Sequence, residues 1–305
     1  MVLAAHCAVL LVLALAAGAA HGHAPASSAG SALSATFYDA SCPRAYDIVR
    51  RVIQNARPHP TPLPRLLFVQ GCDGSLLLDD DFPTIQTEKT VPANNNSARG
   101  FPVVDDIKSA LEEACPGIVS CADILALAAE ISVELAGGPR WRVLCWAGET
   151  ARCVQSARNL PNFFDPLNVL QEKFRNVNLN DTDLVALQGA HTFGKVQCQF
   201  TQQNCTAGQS RGTLENLDQV TPRVFDNKYY GNLLEGHAQL PSDQVMLSDP
   251  TAAATTAPIV HRFAGNQHDF FRNFAESMIK MGNISPLTGN DGQIRKHCRR
   301  VNKGY

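Results

Sequence analysis

The side chains with the most chemical potential in this 305-residue chain are its ten cysteines, one histidine in a short glycine-bounded run, and a spaced set of carboxylates and hydroxyls. Cys7 lies in an apolar leader. If that leader is removed, nine cysteines remain: Cys42, Cys72, Cys115, Cys121, Cys145, Cys153, Cys198, Cys205 and Cys298. So many thiols point to an oxidising compartment, where each bridge stabilises by ~2–4 kcal/mol. Nine is odd, so at least one thiol lacks an intramolecular partner. His191 sits in Gly189-Ala190-His191-Thr192-Phe193-Gly194. Taken alone, it reads as a satisfied core or surface histidine. Asp218, Thr221 and Asp226 alone read as an ordinary polar loop. Asn95, Asn180, Asn204 and Asn283 each head a glycosylation triplet, usable only in the secretory pathway.

The elements that must position these residues are helical almost throughout. Val9 to Ala17 is an unbroken apolar run followed by small residues as far as Ala24 and Ala32. It reads as a signal peptide over 1–32, cleaved between 24 and 32, and is too short to span a bilayer comfortably. Residues 33–305 then form one domain. Pro43 opens a helix with Ile48, Val49, Val52, Ile53 and Ala56 on one face. Val103, Ile107, Ala110, Leu111 and Ala114 mark a second. Ile124, Leu125, Leu127, Ala128, Ile131 and Leu135 mark a third, apolar enough to be central. Asp181 or Thr182 is the expected cap of a helix running towards His191. Phe270, Phe271, Phe274, Met278 and Met281 mark a late amphipathic helix closed at Gly282-Asn283. Strand signals are scarce, and no later run is long and apolar enough for a membrane span. The expected fold is all-α, in two lobes. With 45% hydrophobic residues the chain can bury a large core, and a net charge of −2 gives no case for nucleic acid or an anionic membrane.

Several segments together resemble the class III plant peroxidases, the horseradish peroxidase group. They are Phe37-Tyr38-Asp39-Ala40-Ser41-Cys42-Pro43, Val69-Gln70-Gly71-Cys72-Asp73-Gly74-Ser75, Asn96-Ser97-Ala98-Arg99-Gly100-Phe101, Val119-Ser120-Cys121-Ala122-Asp123, the run around His191, and Phe225-Asp226-Asn227-Lys228-Tyr229-Tyr230. They span most of the mature chain in the family's order. The resemblance implies the two-lobed plant haem peroxidase fold with haem b between the lobes. It also implies reduction of hydrogen peroxide with oxidation of small phenolic donors, and a secreted, extracellular, monomeric protein of the cell wall.

On the iron side, the resemblance places His191 at the proximal haem ligand and Asp243 at the carboxylate that orients it. Such a partner fixes the ligand's tautomer and makes it more basic. One imidazole ligand leaves the iron's sixth position open for peroxide. The family's proximal calcium shell falls on Thr192, Asp218, Thr221, Val224 and Asp226, a hard oxygen set suited to Ca²⁺. Leu217 departs from relatives that carry an aromatic residue there. Pro161, in Asn159-Leu160-Pro161, matches the donor-site proline; alone it is a plain turn proline. The implied disulfides are Cys42–Cys115, Cys121–Cys298 and Cys198–Cys205, leaving Cys72, Cys145 and Cys153 as candidates for unpaired thiols.

The peroxide side departs from the family. Cleaving bound peroxide calls for a base to move a proton between its oxygens and a cation to stabilise the developing charge. The family supplies both in Arg-x-x-Phe-His-Asp-Cys, running into Phe-Val-x-Gly-Cys-Asp. Here the text is Arg65-Leu66-Leu67-Phe68-Val69-Gln70-Gly71-Cys72-Asp73, without the histidine, the leading calcium aspartate and a cysteine. No histidine lies between His59 and His191, and His59 sits among prolines that forbid a helix. Arg65 is the candidate distal arginine, yet losing about five residues shortens a helix by ~7.5 Å and turns its face by a net ~140°. The distal calcium set keeps Val69, Gly71, Asp73 and Ser75, with Glu88 as an outer carboxylate, and should bind more weakly.

A second departure lies at Cys145 to Cys153, where relatives carry Gly-Arg-Arg-Asp and one arginine pairs with the residue at Asp123. Asp123 is therefore expected to be buried without that partner, a defect of ~3–5 kcal/mol if nothing substitutes. One choice of synonymous codons for Leu-Leu-Gly-Arg-Arg-Asp-Gly-Thr, read one base late, encodes Cys145-Trp146-Ala147-Gly148-Glu149-Thr150-Ala151 and the start of Arg152. That match suggests a local frame slip. The alternative to the family activity is a catalytically inactive secreted protein that binds haem and calcium.

Overall fold

The computed structural model describes residues 33–56, 74–80, 87–90, 99–145, 161–284 and 292–302. The leader, Arg65, Val69, Gly71, Cys72, Asp73, Asn95 and Cys153 lie outside them, as does most of the shifted segment. The described residues belong to one compact unit, Leu33–Tyr305. Its first three helices are α1 (Ala45–Ala56), α2 (Phe101–Ala114) and α3 (Cys121–Leu135), which pack on one another. α1 buries Ala45, Ile48, Val49 and Ile53 on one face, as the apolar spacing requires. α3 buries almost every side chain and is the central element. Ser120 starts it by accepting the Asp123 amide at 3.0 Å. The Tyr46 hydroxyl donates to Glu130 at 2.8 Å and Arg50 pairs with Glu134, tying α1 to α3.

Two details differ from the sequence reading. On α2 the buried face holds Val104 and Lys108 along with Ile107 and Leu111, while Ala114 is exposed. Lys108 is tolerated there because its ammonium meets the Val119 carbonyl at 2.7 Å and Glu112 at 2.6 Å. Asp123 does not stand alone: the Tyr38 hydroxyl donates to its carboxylate at 2.5 Å. A residue 85 positions away thus supplies the buried carboxylate with a hydrogen bond, though not with a countercharge.

The second group comprises α4 (Leu167–Arg175), α5 (Asp181–Gln188), α6 (Lys228–Leu234), α7 (Pro241–Ser248), α8 (Ala257–Gly265) and α9 (Gln267–Gly282). Phe225, Tyr230, Phe263, Phe270 and Phe274 form its aromatic core. The groups meet where the Phe225 amide donates to Ala136 O at 2.8 Å and where Trp141 packs edge-on against Phe274. The three expected disulfides form: Cys42–Cys115, Cys121–Cys298 and Cys198–Cys205. The Cys121–Cys298 bridge closes 177 residues, a constraint on the order of 5 kcal/mol in the chain-entropy model. It holds the C-terminal segment on the first group, where Arg295 donates to Gly74 O at 2.6 Å. No helix among the described residues is long and apolar enough to cross a membrane.

Candidate functional site

His191 is delivered by a helix that tightens as it ends. α5 begins one residue earlier than expected, because Asn180, not Asp181 or Thr182, is its cap. The Asn180 side chain accepts the Asp183 amide at 3.0 Å while Asp183 accepts the Asn180 amide at 2.9 Å. Asp183 also receives Ser277 and Lys280 of α9, each at 2.8 Å. Burial works against its charge, but these donors and the Asn180 amide outweigh it and hold its pKa below the usual carboxylate range. α5 then runs into a 3₁₀ turn over Gly189–Thr192 that carries the histidine. Gly189 is required there: a Cβ would stand 2.2 Å from the Tyr230 hydroxyl oxygen and 2.6 Å from Phe270.

The partner of His191 comes from α7. Pro241 occupies that helix's first turn, where its missing N–H costs nothing, and Asp243 follows. His191 Nδ1 lies 2.8 Å from Asp243 Oδ1. A carboxylate only accepts, so the neutral imidazole donates through Nδ1 and keeps a lone pair on Nε2. The carboxylate side chain is 2% exposed and the imidazole 31%, so the anchor is sealed while the ring stays accessible to an external group. That combination fits an iron ligand.

A short hairpin brings the oxygens together. β1 (Lys195–Gln197) follows Thr192, and β2 (Leu214–Asn216) leads directly to Asp218. The strands pair antiparallel, with Lys195 opposite Asn216. Gly194 takes φ 105°, a conformation glycine adopts freely, and its carbonyl accepts the Leu217 amide at 3.0 Å. Leu217 is buried against Val196 and Leu240. Thr192 Oγ1 thus lies 3.2 Å from both Asp218 Oδ2 and Asp226 Oδ1, and Thr221 Oγ1 lies 3.0 Å from the same two atoms. A hydroxyl has one proton and cannot donate to two carboxylates at once. Two acids facing each other across two hydroxyls call for a cation. Two carboxylates and two hydroxyls converging in this way make a hard oxygen set of the kind that would suit a calcium ion. Among the described residues no three His, Cys, Asp or Glu side chains gather into a group that could hold a metal. Val224 turns back through its amide to Thr221 O at 3.0 Å.

Of the distal set, Ser75 and Glu88 are described; both are buried, and the serine donates to the carboxylate at 2.8 Å. Cys145 is buried and bridges Ser34 through backbone hydrogen bonds. Asn180, Asn204 and Asn283 are exposed. Pro161 is exposed and begins a segment whose aromatic character the sequence reading missed. The Phe163 ring lies 4.1 Å from that of Phe164 and 4.5 Å from that of Phe200, and Phe164 is 63% exposed. Adjacent phenylalanines in a Pro-containing stretch were the available signal. The Phe163 carbonyl accepts the Ser242 amide at 3.0 Å, next to Asp243.

A family model described as Peroxidase matches residues 20–266. Peroxidase 15 of Ipomoea batatas is 47% identical over 90% of this chain and 94% of its own length. The lignin-forming anionic peroxidase of Nicotiana tabacum is 46% identical over 88% and 93%, and a peroxidase of Armoracia rusticana 43% over 88% of each chain. The chain belongs to the peroxidase family, in its plant class III branch, and is by family a peroxidase. That family generally uses haem and calcium and acts on hydrogen peroxide and a reducing donor.

Proposed function

We propose that this chain is a secreted, extracellular haem b and calcium protein that reduces hydrogen peroxide slowly at the expense of small phenolic donors. The observation that carries the reading is the His191–Asp243 pair at 2.8 Å, held beside the closed oxygen ring of Thr192, Asp218, Thr221 and Asp226. Haem b, when bound, supplies iron that reacts with peroxide and accepts two electrons, one at a time, from donors. His191 would hold that iron through Nε2, and Asp243 would keep the Nδ1 proton and the ring's orientation. Thr192, Asp218, Thr221, Asp226 and the Val224 carbonyl would hold calcium, with Thr192 next to His191 in the chain. The exposed ring of Phe164 with Pro161 offers a phenol a face to stack on and a carbonyl for its hydroxyl.

Proton transfer on the peroxide side has no histidine from the interval between His59 and His191. Arg65 is the remaining cation proposed for that side, and Val69, Gly71, Asp73, Ser75 and Glu88 its weakened calcium set. General acid–base help is worth about 10²–10⁴-fold, so turnover is expected to fall by that factor. That missing base equally favours a second reading, an inactive haem- and calcium-binding protein. A peroxide-plus-phenol assay on haem-loaded protein separates them. Measurable saturable turnover supports the first reading, a rate no greater than free haem the second, and full family-like turnover would contradict both.

A further inference from the structure

Asp243 has a second neighbour that none of the roles above uses. Tyr229, in the first turn of α6, is 2% exposed, and its ring packs edge-on against His191 with centroids 6.2 Å apart. Its hydroxyl is shut away from solvent and makes no hydrogen bond at standard geometry among the described residues. A buried donor left unmade costs about 1–3 kcal/mol, so a phenol is retained here against that cost unless an acceptor comes within reach. The Asp243 carboxylate, bonded to the imidazole against which the Tyr229 ring packs, is the candidate acceptor. Burial first, then the charges of Asp243 and Tyr230, push the Tyr229 phenol well above its ordinary pKa. The adjacent Tyr230 makes a useful contrast, because its hydroxyl already donates to Val185 O at 3.0 Å.

We infer that Tyr229 is a positioning residue for the His191–Asp243 pair, its hydroxyl closing on the Asp243 carboxylate and sharing that acceptor with His191 Nδ1. The inference rests on the proposed role of that pair and deepens it. Sharing weakens the bond from Nδ1–H to Asp243, and so limits how far the imidazole gains imidazolate character. It also links the oxygen ring to the imidazole by a second route. α6 starts directly after Asp226, whose carboxylate accepts the Lys228 amide at 2.9 Å, so whatever fixes Asp226 fixes where Tyr229 stands.

The test compares Tyr229→Phe with Tyr230→Phe in the full chain, each losing one buried hydroxyl from the same helix turn. The haem-free protein, with ring-¹⁵N histidine, reports the His191 Nδ1 proton by NMR. Its resonance is expected to move downfield in Y229F and to stay in place in Y230F, because only the first removes a competitor for Asp243. In haem-loaded protein the ferrous iron–histidine stretch should rise in Y229F alone. An unmoved Nδ1 resonance in folded Y229F, or equal shifts in both variants, overturns the inference. Absence of a Soret band in the wild type would sink the haem reading instead, and the NMR comparison would still decide the role of Tyr229.

Discussion

Removing calcium should loosen this protein by an amount that can be worked out in advance, and Asp218→Asn should reverse its sign with the ion. Asp218 is fully buried and accepts Thr192, Thr221, the Val220 amide at 2.8 Å and Asn232 at 2.9 Å. Asp226 faces it across the two hydroxyls. A ligand at one hundred times its Kd stabilises the folded state by about 2.7 kcal/mol. At roughly 2–4 °C per kcal/mol for a chain of this size, chelation should lower the Tm by roughly 5–10 °C. In D218N one of the two facing charges is gone. The variant should melt well below the wild type in millimolar calcium, because the ion loses a ligand. In chelator it should melt at or above the wild type, because the uncompensated repulsion between two buried carboxylates is relieved. Calorimetry in calcium and in EGTA measures all four values. A wild-type Tm indifferent to EGTA, or a D218N deficit of equal size in both buffers, would refute the reasoning.

Three further outcomes are expected. Asp183 has a folded pKa below its unfolded one, so its contribution is complete above the unfolded value near 4 and disappears as pH falls through the folded one. D183N should cost ~1–3 kcal/mol at neutral pH and flatten the acid limb of a Tm-versus-pH curve below about pH 4; an unchanged acid limb counts against the assignment. Tyr38→Phe removes the hydroxyl that serves buried Asp123 and should lower denaturant stability by about 1.5–3 kcal/mol, whereas a loss under half of that would mean other partners suffice. Nucleotide sequence across residues 143–154 should contain, one base away from the translated frame, codons for Leu-Leu-Gly-Arg-Arg-Asp; if no frame encodes them, the frame-slip origin is wrong.

What the sequence disclosed depended on the range over which the deciding force acts. α1, α3 and α9 were legible because burial of one helical face writes a 3.6-residue apolar spacing into local sequence. The hairpin of Lys195–Gln197 with Leu214–Asn216 was not, since three-residue strands carry no periodicity to detect. Lys108 on the buried face of α2 was missed for a related reason: its burial is made acceptable by a carbonyl at Val119, which no pattern within the helix announces. The Asn180 cap was misplaced by one residue because three consecutive candidates, Asn180, Asp181 and Thr182, all suit the position and only the reciprocal bond with Asp183 selects among them. The functional pair spans 52 positions and the oxygen ring 34, so residue types alone left His191 and Asp218 ordinary; the resemblance to a family supplied their roles, and the folded chain brought them within 3.2 Å of their partners or closer. Tyr38 beside Asp123 was invisible to both, and of the Phe163–Phe164–Phe200 cluster only the adjacent phenylalanines gave a signal.

The central proposal is that His191, held by Asp243, binds haem iron in a chain with no histidine between His59 and His191. Titrating haem into refolded, calcium-loaded protein and into His191→Ala tests it most directly, with a melt of each variant to show that it is folded. The wild type should develop a five-coordinate ferric Soret spectrum at one haem per chain, and folded H191A should lose it and regain it with exogenous imidazole. Stoichiometric haem binding that is identical in H191A would contradict the account, as would a folded, calcium-responsive wild type that binds no haem.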